Sequence, residues 1–449
     1  EIDITGLTMP ITKHNFLVRN VAGLADTLCN AFCIAQEGRP GPVLVDIPRD
    51  VLLAETDFTP CNLPLWPNRL VTPPDSLNAS IQQARVMLEK SQRPLLLVGG
   101  GAIRADAAPA VNAFCKALSL PSVSTLMGLG ALSPELPQYL GLTGMHGHKV
   151  ANMAVVASDL LIAVGTRFSD RVTGDRLRYA NGKTIIQLDI DRAEVGKNID
   201  ADLSIIGDLR QSLDALRLQV SQYPQTGKRD WLQKIGQWQI DYPYSCDNST
   251  LNPQWMMRHM SAAVGELPVC WVTDVGQHQM WAAQHLTITS PRTWITSGGL
   301  GTMGFGLPAA LGVSLAQPEQ RVVLIAGDGG FKMTGLELYT AALERVRVTC
   351  VIVNNQSLGM VRQWQQLFFG RRYSATILPA FNFAAFAGSC NVPAVVTDTP
   401  QAFADAFATS LHAAGPFVIV ANISPDCLVE PMVCPGKNVD QFIASATDN

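Results

Sequence analysis

The sequence is poor in charged residues and has no long hydrophobic run. Charged residues make up 16% of the 449, and 33 basic against 37 acidic side chains leave a net charge of −4. Since no basic tract is present, we do not expect nucleic acid as a partner. Apolar runs such as 160–164 and 322–326 are much shorter than the roughly 20 residues of a membrane span. We therefore expect no membrane segment, no signal peptide and a cytoplasmic location.

Cysteine pairs with the spacing of a zinc or redox site are also missing. Ten cysteines lie between positions 29 and 434, and none forms a C-x-x-C motif. Several, such as Cys270 and Cys350, fall inside apolar runs. We interpret the cysteines as reduced residues of the hydrophobic core in a reducing compartment.

The sequence is rich in apolar residues, which make up 47% of the chain in short runs separated by helical patterns. This alternation is typical of α/β domains with parallel sheets. We predict two doubly wound parallel-sheet domains, at 76–218 and 253–449, preceded by the tail of a third domain at 1–58. Proline-rich residues 59–75 and polar residues 219–252 are the predicted linkers.

The pattern also predicts individual elements. A helix is expected over 21–36, with an apolar stripe that includes Leu28 and Phe32. The predicted strands are 43–48, 95–98, 123–126, 159–166, 184–191, 204–206, 269–273, 294–296, 322–326, 348–353, 394–396 and 417–421.

Two polar segments follow neighbouring predicted strands. Gly327-Asp328-Gly329-Gly330 comes after 322–326, and Asn354-Asn355 comes after 348–353. The intervening helix carries Leu336, Tyr339 and Leu343 on one face, which indicates a single βαβ unit. Asp328 and Asn355 would then share a crevice at the carboxyl ends of the strands, as Mg²⁺ prefers. The simpler alternative is a tight turn and a strand exit without a ligand.

Two further loops point to the same crevice. Residues 274–279 follow a strand and begin a helix, so their amides could bind a phosphate. Residues 297–306 hold five glycines, again between a strand and a helix. Glycine permits the close backbone approach that phosphate sites need. Together the loops predict a diphosphate and metal site.

These strings resemble those of a known family. Gly327-Asp328-Gly329 through Asn354-Asn355 is similar to the thiamine-diphosphate motif, and 274–281, 301–306 and 359–366 resemble acetohydroxyacid (acetolactate) synthase, catalytic subunit of a bacterial type. The resemblance covers essentially the whole chain. It implies a pyrimidine-binding domain that ends near residue 58, a central FAD-binding domain, and a C-terminal domain that binds diphosphate and magnesium.

The resemblance also implies roles for individual residues. Mg²⁺ would be bound by Asp328, Asn355 and the carbonyl of Ser357. Met360, Trp364 and Arg49 would line the substrate pocket. The implied thiamine-diphosphate contacts are Val275, Gly276, Gln277, His278, Met303, Gly327, Asp328, Gly329, Gly330, Met333, Asn355, Leu358, Gly359 and Met360.

A flavin site is implied in the central domain. Thr166 and Ser169 replace residues that are usually Ala and Asp in the family. The implied FAD contacts are Arg39, Gly99, Gly100, Gly101, Thr125, Leu126, Met145, His146, Gly147, Gly165, Thr166, Arg167, Arg171, Val172, Asp189, Ile190 and Asp208. Without the resemblance they would indicate only a generic nucleotide fold, because no G-x-G-x-x-G is present. His146, His148 and His278 are expected to make polar or phosphate contacts, not to bind a metal.

The implied reaction removes carbon dioxide from pyruvate on thiamine diphosphate and joins the hydroxyethyl unit to pyruvate or 2-ketobutyrate, in branched-chain amino acid biosynthesis. FAD would be structural. The resemblance also implies a homodimer or homotetramer and a small regulatory subunit. The family's activating glutamate lies on an N-terminal stretch that has no match here, and Glu37, Glu194 and Glu337 do not replace it by position. We expect little turnover from this chain alone.

Other interpretations stay open at this stage. A related carboligase, 2-keto acid decarboxylase or pyruvate oxidase would share the metal motif but differ at 359–366. The chain could also be a non-catalytic flavin-binding remnant that associates with a longer partner.

Overall fold

The structure is a computed structural model that describes residues 2–61, 74–220, 228–243 and 249–443. Its named strands form one two-stranded and two six-stranded sheets, and all their pairings are parallel. The predicted α/β class with two large parallel sheets is therefore confirmed. Within the described ranges, no helix is long and apolar enough to cross a membrane.

The N-terminal unit is a small parallel pair of strands with three helices. Its elements are α1 (Ile4–Thr8), β1 (His14–Leu17), α2 (Leu24–Gln36), β2 (Val43–Asp46) and α3 (Arg49–Leu53). The predicted helix 21–36 begins as a 3₁₀ turn and becomes α-helical at Leu24. Its expected apolar stripe is not buried, because Leu28 and Phe32 are exposed and Ala31 is the buried residue.

The middle sheet has the strand order β5-β4-β3-β6-β7-β8. Its strands are β3 (Pro94–Val98), β4 (Ser122–Ser124), β5 (Tyr139–Leu142), β6 (Leu160–Val164), β7 (Thr184–Asp189) and β8 (Leu203–Ile206). The chain reverses its direction of travel across the sheet between β3 and β6, which is where ligands of such sheets bind. The predicted strand 123–126 is shorter than expected, because Leu126 already lies in a 3₁₀ turn.

Helices cover both faces of the middle sheet. They are α4 (Pro74–Lys90), α5 (Gly100–Arg104), α6 (Ala108–Leu118), α7 (Lys149–Ala157), α8 (Asp170–Thr173), α9 (Arg176–Ala180), α10 (Leu209–Val220) and α11 (Arg229–Asp241). The last of these falls inside the predicted linker 219–252. It packs Trp231 and Ile235 into the core of the middle unit, and Trp231 Nε1 donates to Pro94 O at 3.1 Å.

The third sheet has the order β10-β9-β11-β12-β14-β13. Its strands are β9 (Val269–Thr273), β10 (Trp294–Thr296), β11 (Arg321–Gly327), β12 (Val348–Asn354), β13 (Ala394–Thr397) and β14 (Phe417–Asn422). Its helices are α12 (Pro253–Val264), α13 (Gln277–His285), α14 (Gly306–Ala316), α15 (Asp328–Thr334), α16 (Glu337–Leu343), α17 (Gly359–Phe368), α18 (Phe383–Ser389) and α19 (Pro400–Leu411). Two apolar cores lie on opposite faces of this sheet. Its reversal point lies between β9 and β11.

The crossover from β11 to β12 differs from the prediction. It consists of two short helices, α15 and α16, and Leu338 and Ala341 are the buried residues of the second. Leu336, Tyr339 and Leu343 do share a face, but they are 79%, 53% and 64% exposed. The apolar pattern therefore identified the helix but not its buried side.

The cysteines are also less uniformly buried than expected. Cys115, Cys270, Cys350 and Cys390 lie in the core. The interpretation of core residues is wrong for five others, which are only partly buried: Cys29, Cys33, Cys61, Cys427 and Cys434.

Candidate cofactor site

The candidate site lies at the carboxyl edge of the third sheet. Four strands, β10, β9, β11 and β12, end there side by side. The loops that follow them include the predicted motifs at 274–279, 297–306, 327–330 and 354–355. The fold thus brings together segments that are up to about 80 residues apart in the chain.

Asp274 fixes two of these loops to each other. Its carboxylate accepts hydrogen bonds from the amides of Val275 at 2.8 Å, Gly304 at 3.1 Å and Gly306 at 2.8 Å. The side chain is 1% exposed, and a Cβ on Gly330 would clash with it. No role was predicted for this side chain, although an acid directly after a buried strand was the signal that could have identified it.

Asp328 and Asn355 follow adjacent strands and both are buried. Asp328 Oδ1 accepts a hydrogen bond from its neighbour Gly329 at 2.8 Å, whereas Oδ2 is buried with no hydrogen-bond partner among the described residues. Burial raises the pKa of this carboxyl to about 6, although the amides of Gly329, Ser357 and Gln356 oppose the rise. A buried carboxylate oxygen without a partner is costly, so its presence indicates a site for a cation.

Asn355 is held by two hydrogen bonds. Its Nδ2 donates to Gln277 Oε1 at 3.2 Å, and its Oδ1 accepts from the amide of Ser357 at 3.1 Å. Ser357 is buried and its hydroxyl donates to Thr376 O at 3.0 Å. Because the side chain of Gln277 is bonded to Asn355 and Gln363, any contact of Gln277 with a diphosphate would have to come from its backbone amide.

His278 lies between two glycines at the beginning of α13. A Cβ on Gly276 or on Gly327 would lie 2.9 Å from its ring, and Gly276 has a φ of +152°. Burial lowers the pKa of His278 to about 4, so the ring is neutral at physiological pH. Within the part of the chain that the structure describes, its buried Nε2 has no hydrogen-bond partner.

The remaining implied thiamine-diphosphate and substrate residues differ in their surroundings. A Cβ on Gly329 would lie 2.8 Å from Leu358 Cδ2 and 3.7 Å from Met303 Cε. Met333 is 58% exposed, while Met360 packs against the core and Trp364 packs edge-to-face on Phe368 with 5.2 Å between ring centroids. Arg49 is exposed on α3 of the N-terminal unit.

The implied flavin residues mostly lie at the carboxyl edge of the middle sheet. Gly99–Gly101 follow β3, Thr125 and Leu126 follow β4, and Gly165–Arg167 follow β6. A Cβ on Gly101 would lie 2.6 Å from Gly165 Cα, and Gly165 has a φ of +57°. Two backbone segments can approach this closely only without side chains.

The charged residues of this edge already have partners. Asp208 forms an ion pair with Arg210 at 2.8 Å, and Arg39 bonds to Asp191 at 3.2 Å and Glu194 at 2.9 Å. Burial would raise the pKa of Asp208, but its bonds to Arg210 and Gln211 lower it overall. Asp189, by contrast, has a pKa raised by burial, and its Oδ1 accepts from the amide of Asp191 at 2.9 Å.

A second group of implied flavin residues lies between the middle and third sheets. Met145 donates its amide to Arg171 O at 2.8 Å, and Arg171 Nη1 lies 3.3 Å from Met145 Sδ. Gln284 Nε2 donates to the carbonyl of His146 at 2.9 Å, which ties α13 to this loop. Burial lowers the pKa of His146 to about 4. Gly147 is buried, as is Val172 in the short helix α8.

Comparison with known proteins agrees with this geometry. Residues 274–421 match the family described as thiamine pyrophosphate enzyme, C-terminal TPP binding domain, and residues 81–216 match its central domain. The chain is 42% identical to the acetolactate synthase isozyme 2 large subunit of Escherichia coli, with 99% of this chain and 79% of that protein covered. It is 41% identical to an acetolactate synthase of Mycobacterium leprae and 42% identical to an acetolactate synthase large subunit of Parasynechococcus marenigrum, covering 99% of this chain and 73% and 72% of those proteins.

The chain belongs to the acetolactate synthase large-subunit family. The predicted family and the predicted thiamine-diphosphate-dependent carboligase class are therefore confirmed. All of the implied thiamine-diphosphate and metal residues lie inside the matched range 274–421, and the implied flavin residues other than Arg39 lie inside 81–216. Arg39 and Arg49 lie outside both ranges.

The residues of this acetolactate synthase family member fit the cofactor chemistry. Asp328 Oδ2 is buried with no hydrogen-bond partner among the described residues, and Asn355, which follows the adjacent strand, brings an amide oxygen that accepts from the amide of Ser357. A few protein oxygens, completed by phosphate and water, are what Mg²⁺ requires. The N-terminus of α13 adds its backbone amides and the neutral ring of His278, which suit a diphosphate.

Proposed function

We propose that this chain binds thiamine diphosphate through Mg²⁺ held by Asp328, Asn355 and the carbonyl of Ser357, and that it forms acetolactate or acetohydroxybutyrate from pyruvate and 2-ketobutyrate. The observation that carries the proposal is the buried, unpartnered Asp328 Oδ2 at the reversal point of the third sheet. When bound, the cofactor supplies the carbanion chemistry that removes carbon dioxide from one 2-keto acid and joins the remaining unit to a second.

The residues of the chain have separate parts in this proposal. Asp328 and Asn355 neutralise and orient the diphosphate through the metal, while the amides of Gly276–His278 bind its oxygen atoms at the N-terminus of α13. Met303 and Leu358, whose side chains lie close to Gly329, would form apolar walls for the cofactor. Met360 and Trp364 on α17 bound the space for the second 2-keto acid.

FAD has a structural role in the proposal. Gly101 and Gly165 approach closely at the reversal point of the middle sheet, where a dinucleotide would bind, and Asp189 offers a carboxylate for a ribose hydroxyl. Since the proposed reaction has no net electron transfer, the flavin is not required to change its oxidation state.

We also propose that the chain forms a homodimer or homotetramer and binds a small regulatory subunit. The exposed face of Leu336, Tyr339 and Leu343 on α16 supports contact with a second copy of the chain. The names of two of the relatives, which call them large subunits, support a smaller partner. Light scattering during size exclusion tests the first part, and a strictly monomeric mass at micromolar concentration would contradict it.

The test of the reaction is acetolactate production from pyruvate with thiamine diphosphate, Mg²⁺ and FAD, with each omitted in turn. Product that depends on thiamine diphosphate and Mg²⁺ supports the proposal, and it would contradict the expectation of low turnover from this chain alone. Absence of Mg²⁺-dependent binding of thiamine diphosphate would refute the proposed site. Binding without carboligation would leave the site intact and refute the reaction for this chain.

A further inference from the structure

A chain of buried amide groups leads away from the candidate metal ligand Asn355. Gln277 accepts the hydrogen bond of Asn355 Nδ2 with its Oε1, at 3.2 Å, and donates with its Nε2 to Gln363 Oε1 at 2.8 Å and to Cys427 O at 3.1 Å. A Cβ on Gly359 would clash with Gln277 Oε1, so the absence of a side chain there makes room for the amide. We call Asn355, Gln277 and Gln363 the amide relay.

Gln363 anchors this relay on the backbone. Its Oε1 accepts from the amide of Val429 at 2.9 Å, and its Nε2 donates to the carbonyl of Val429 at 3.1 Å. Gln363 is 1% exposed, so water does not replace these bonds. A backbone amide and carbonyl cannot exchange places, so Val429 determines which end of the Gln363 amide carries the oxygen.

The orientation of the Gln363 amide determines the orientation of the Gln277 amide, which in turn determines that of Asn355. With its oxygen fixed towards Gln277, Gln363 requires Gln277 to present its Nε2. Gln277 must then present its Oε1 to Asn355, which in turn has to use its Nδ2 for that bond. The remaining group of Asn355 is its Oδ1, on the side of the Ser357 amide.

The segment that carries Val429 is itself firmly held. Arg362 bonds to Pro425 O and, at 2.9 Å, to the carboxylate of Asp426. Trp281 Nε1 donates to Leu428 O at 3.2 Å. Each residue from 425 to 429 therefore receives or makes a hydrogen bond with a side chain of α13 or α17, which makes this segment a rigid reference for the relay.

We propose that Gln363 is a positioning residue that acts through Gln277 to keep the oxygen of Asn355, and not its amide nitrogen, turned towards Mg²⁺. This inference rests on the proposed function, because it assumes that Asn355 is a metal ligand. Gln363, a buried residue next to the pocket residue Trp364, would thereby help to orient a metal ligand. The relay would also connect residues 425–429 to the metal site.

The test compares Mg²⁺ affinity in the presence of thiamine diphosphate, by titration calorimetry, for the wild type, Gln363→Met, Gln277→Met and the double variant. Each single change is expected to weaken Mg²⁺ binding about tenfold, as partners behind metal ligands commonly do. Because both changes break the same relay, the double variant should be little weaker than either single variant. Gln366→Met is the matched control, since this α17 glutamine bonds to Tyr373 Oη, outside the relay.

A second measurement does not depend on the cofactor. In Gln363→Met the amide of Val429 should lose protection from hydrogen exchange, whereas in Gln277→Met it should keep it. Wild-type Mg²⁺ affinity in Gln363→Met, or additive losses in the double variant, would overturn the relay and leave the proposed function intact. No Mg²⁺ binding by the wild type would refute the proposed function and the relay with it.

Discussion

The two six-stranded sheets have similar architecture but different polar edges. At the third sheet, Asp328 Oδ2 and His278 Nε2 are buried and have no hydrogen-bond partner in the described ranges. At the middle sheet, Asp208 and Arg39 already form ion pairs with Arg210, Asp191 and Glu194. Both edges have glycines at the reversal point, Gly276 and Gly327 in one and Gly101 and Gly165 in the other.

The two edges therefore differ in how they could bind a phosphate-containing cofactor. An unpaired buried carboxylate costs stability, so the third edge gains most when a cation arrives. The charged side chains Asp208 and Arg39 at the middle edge are already paired, although His146 Nδ1 is buried with no hydrogen-bond partner among the described residues. We expect the selectivity of this edge to depend on backbone shape between closely approaching glycines. We therefore expect loss of the unpaired carboxylate at the third edge to change affinity and stability in opposite directions, and substitution of the closely approaching glycines at the middle edge to lower both.

The largest effect is expected for Asp328→Asn. Loss of the carboxylate should weaken Mg²⁺-dependent binding of thiamine diphosphate on the order of 100-fold or more. The same change removes a buried charge, so the cofactor-free protein should unfold at the same or a higher temperature. Calorimetric titration and thermal unfolding measure the two effects. The control is Asp405→Asn on the surface of α19, and equal Mg²⁺ affinity in both variants would contradict the prediction.

Much of the fold was predictable because buried parallel strands are continuous apolar runs. The strands 269–273 and 294–296 agree with the prediction residue for residue, and β11 and β12 differ by one residue at their ends. Two strands were missed for local reasons. The strand β1 (His14–Leu17) begins with two polar residues, and β5 contains Gly141, which has a φ of +86°.

The site was only partly predictable from the sequence. Asp328 and Asn355 could be placed together because they follow two strands of one βαβ unit. Gln363 could not be connected to Gln277 or Val429, which lie 86 and 66 residues away along the chain, since only the packed fold brings them together. The ion pairs of Arg39 could not be predicted for the same reason, because 152 residues separate Arg39 from Asp191.

Asp274→Ala tests whether the third edge is preorganised by the chain itself. The change leaves the amides of Val275, Gly304 and Gly306 without their acceptor, and we expect it to lower the free energy of unfolding by about 3 kcal/mol. Denaturant unfolding measures the loss. Asp398→Ala is the control, because this exposed carboxylate accepts a single bond from Asn422. A loss below about 1 kcal/mol would show that water replaces the bonds and that the loops are not fixed by Asp274.

Gly101→Ala tests the middle edge. The new Cβ would lie 2.6 Å from Gly165 Cα, so two backbone segments must move apart, at a cost of about 2 kcal/mol. We expect bound FAD, measured by its absorbance after purification, to fall sharply, while binding of Mg²⁺ and thiamine diphosphate changes little. Gly312→Ala on α14 is the control, because its Cβ would meet nothing within 4 Å. Normal FAD content in Gly101→Ala would show that this close approach does not shape the flavin site.

The smallest expected effect is the pH dependence of stability that one buried histidine contributes at each edge. Burial lowers the pKa values of His278 and His146 to about 4, below the ordinary value of 6.5. Their stability contribution is complete above pH 6.5 and is lost as pH falls towards 4, because only the unfolded chain takes up the protons. Each histidine should therefore lower the free energy of unfolding by about 1 kcal/mol between pH 7.5 and 5.5.

Denaturant unfolding of His278→Asn and His146→Asn at both pH values would isolate each contribution, with the exposed His14→Asn as the control. The stability contributions of the two histidines should then differ when thiamine diphosphate and Mg²⁺ are added. A diphosphate near His278 favours its protonated ring and should reduce the stability that His278 loses at acidic pH. The contribution of His146 should be unaffected. If the ligand changes the contributions of both histidines equally, its effect on stability is not local to His278. The expected difference between the two edges would then be wrong.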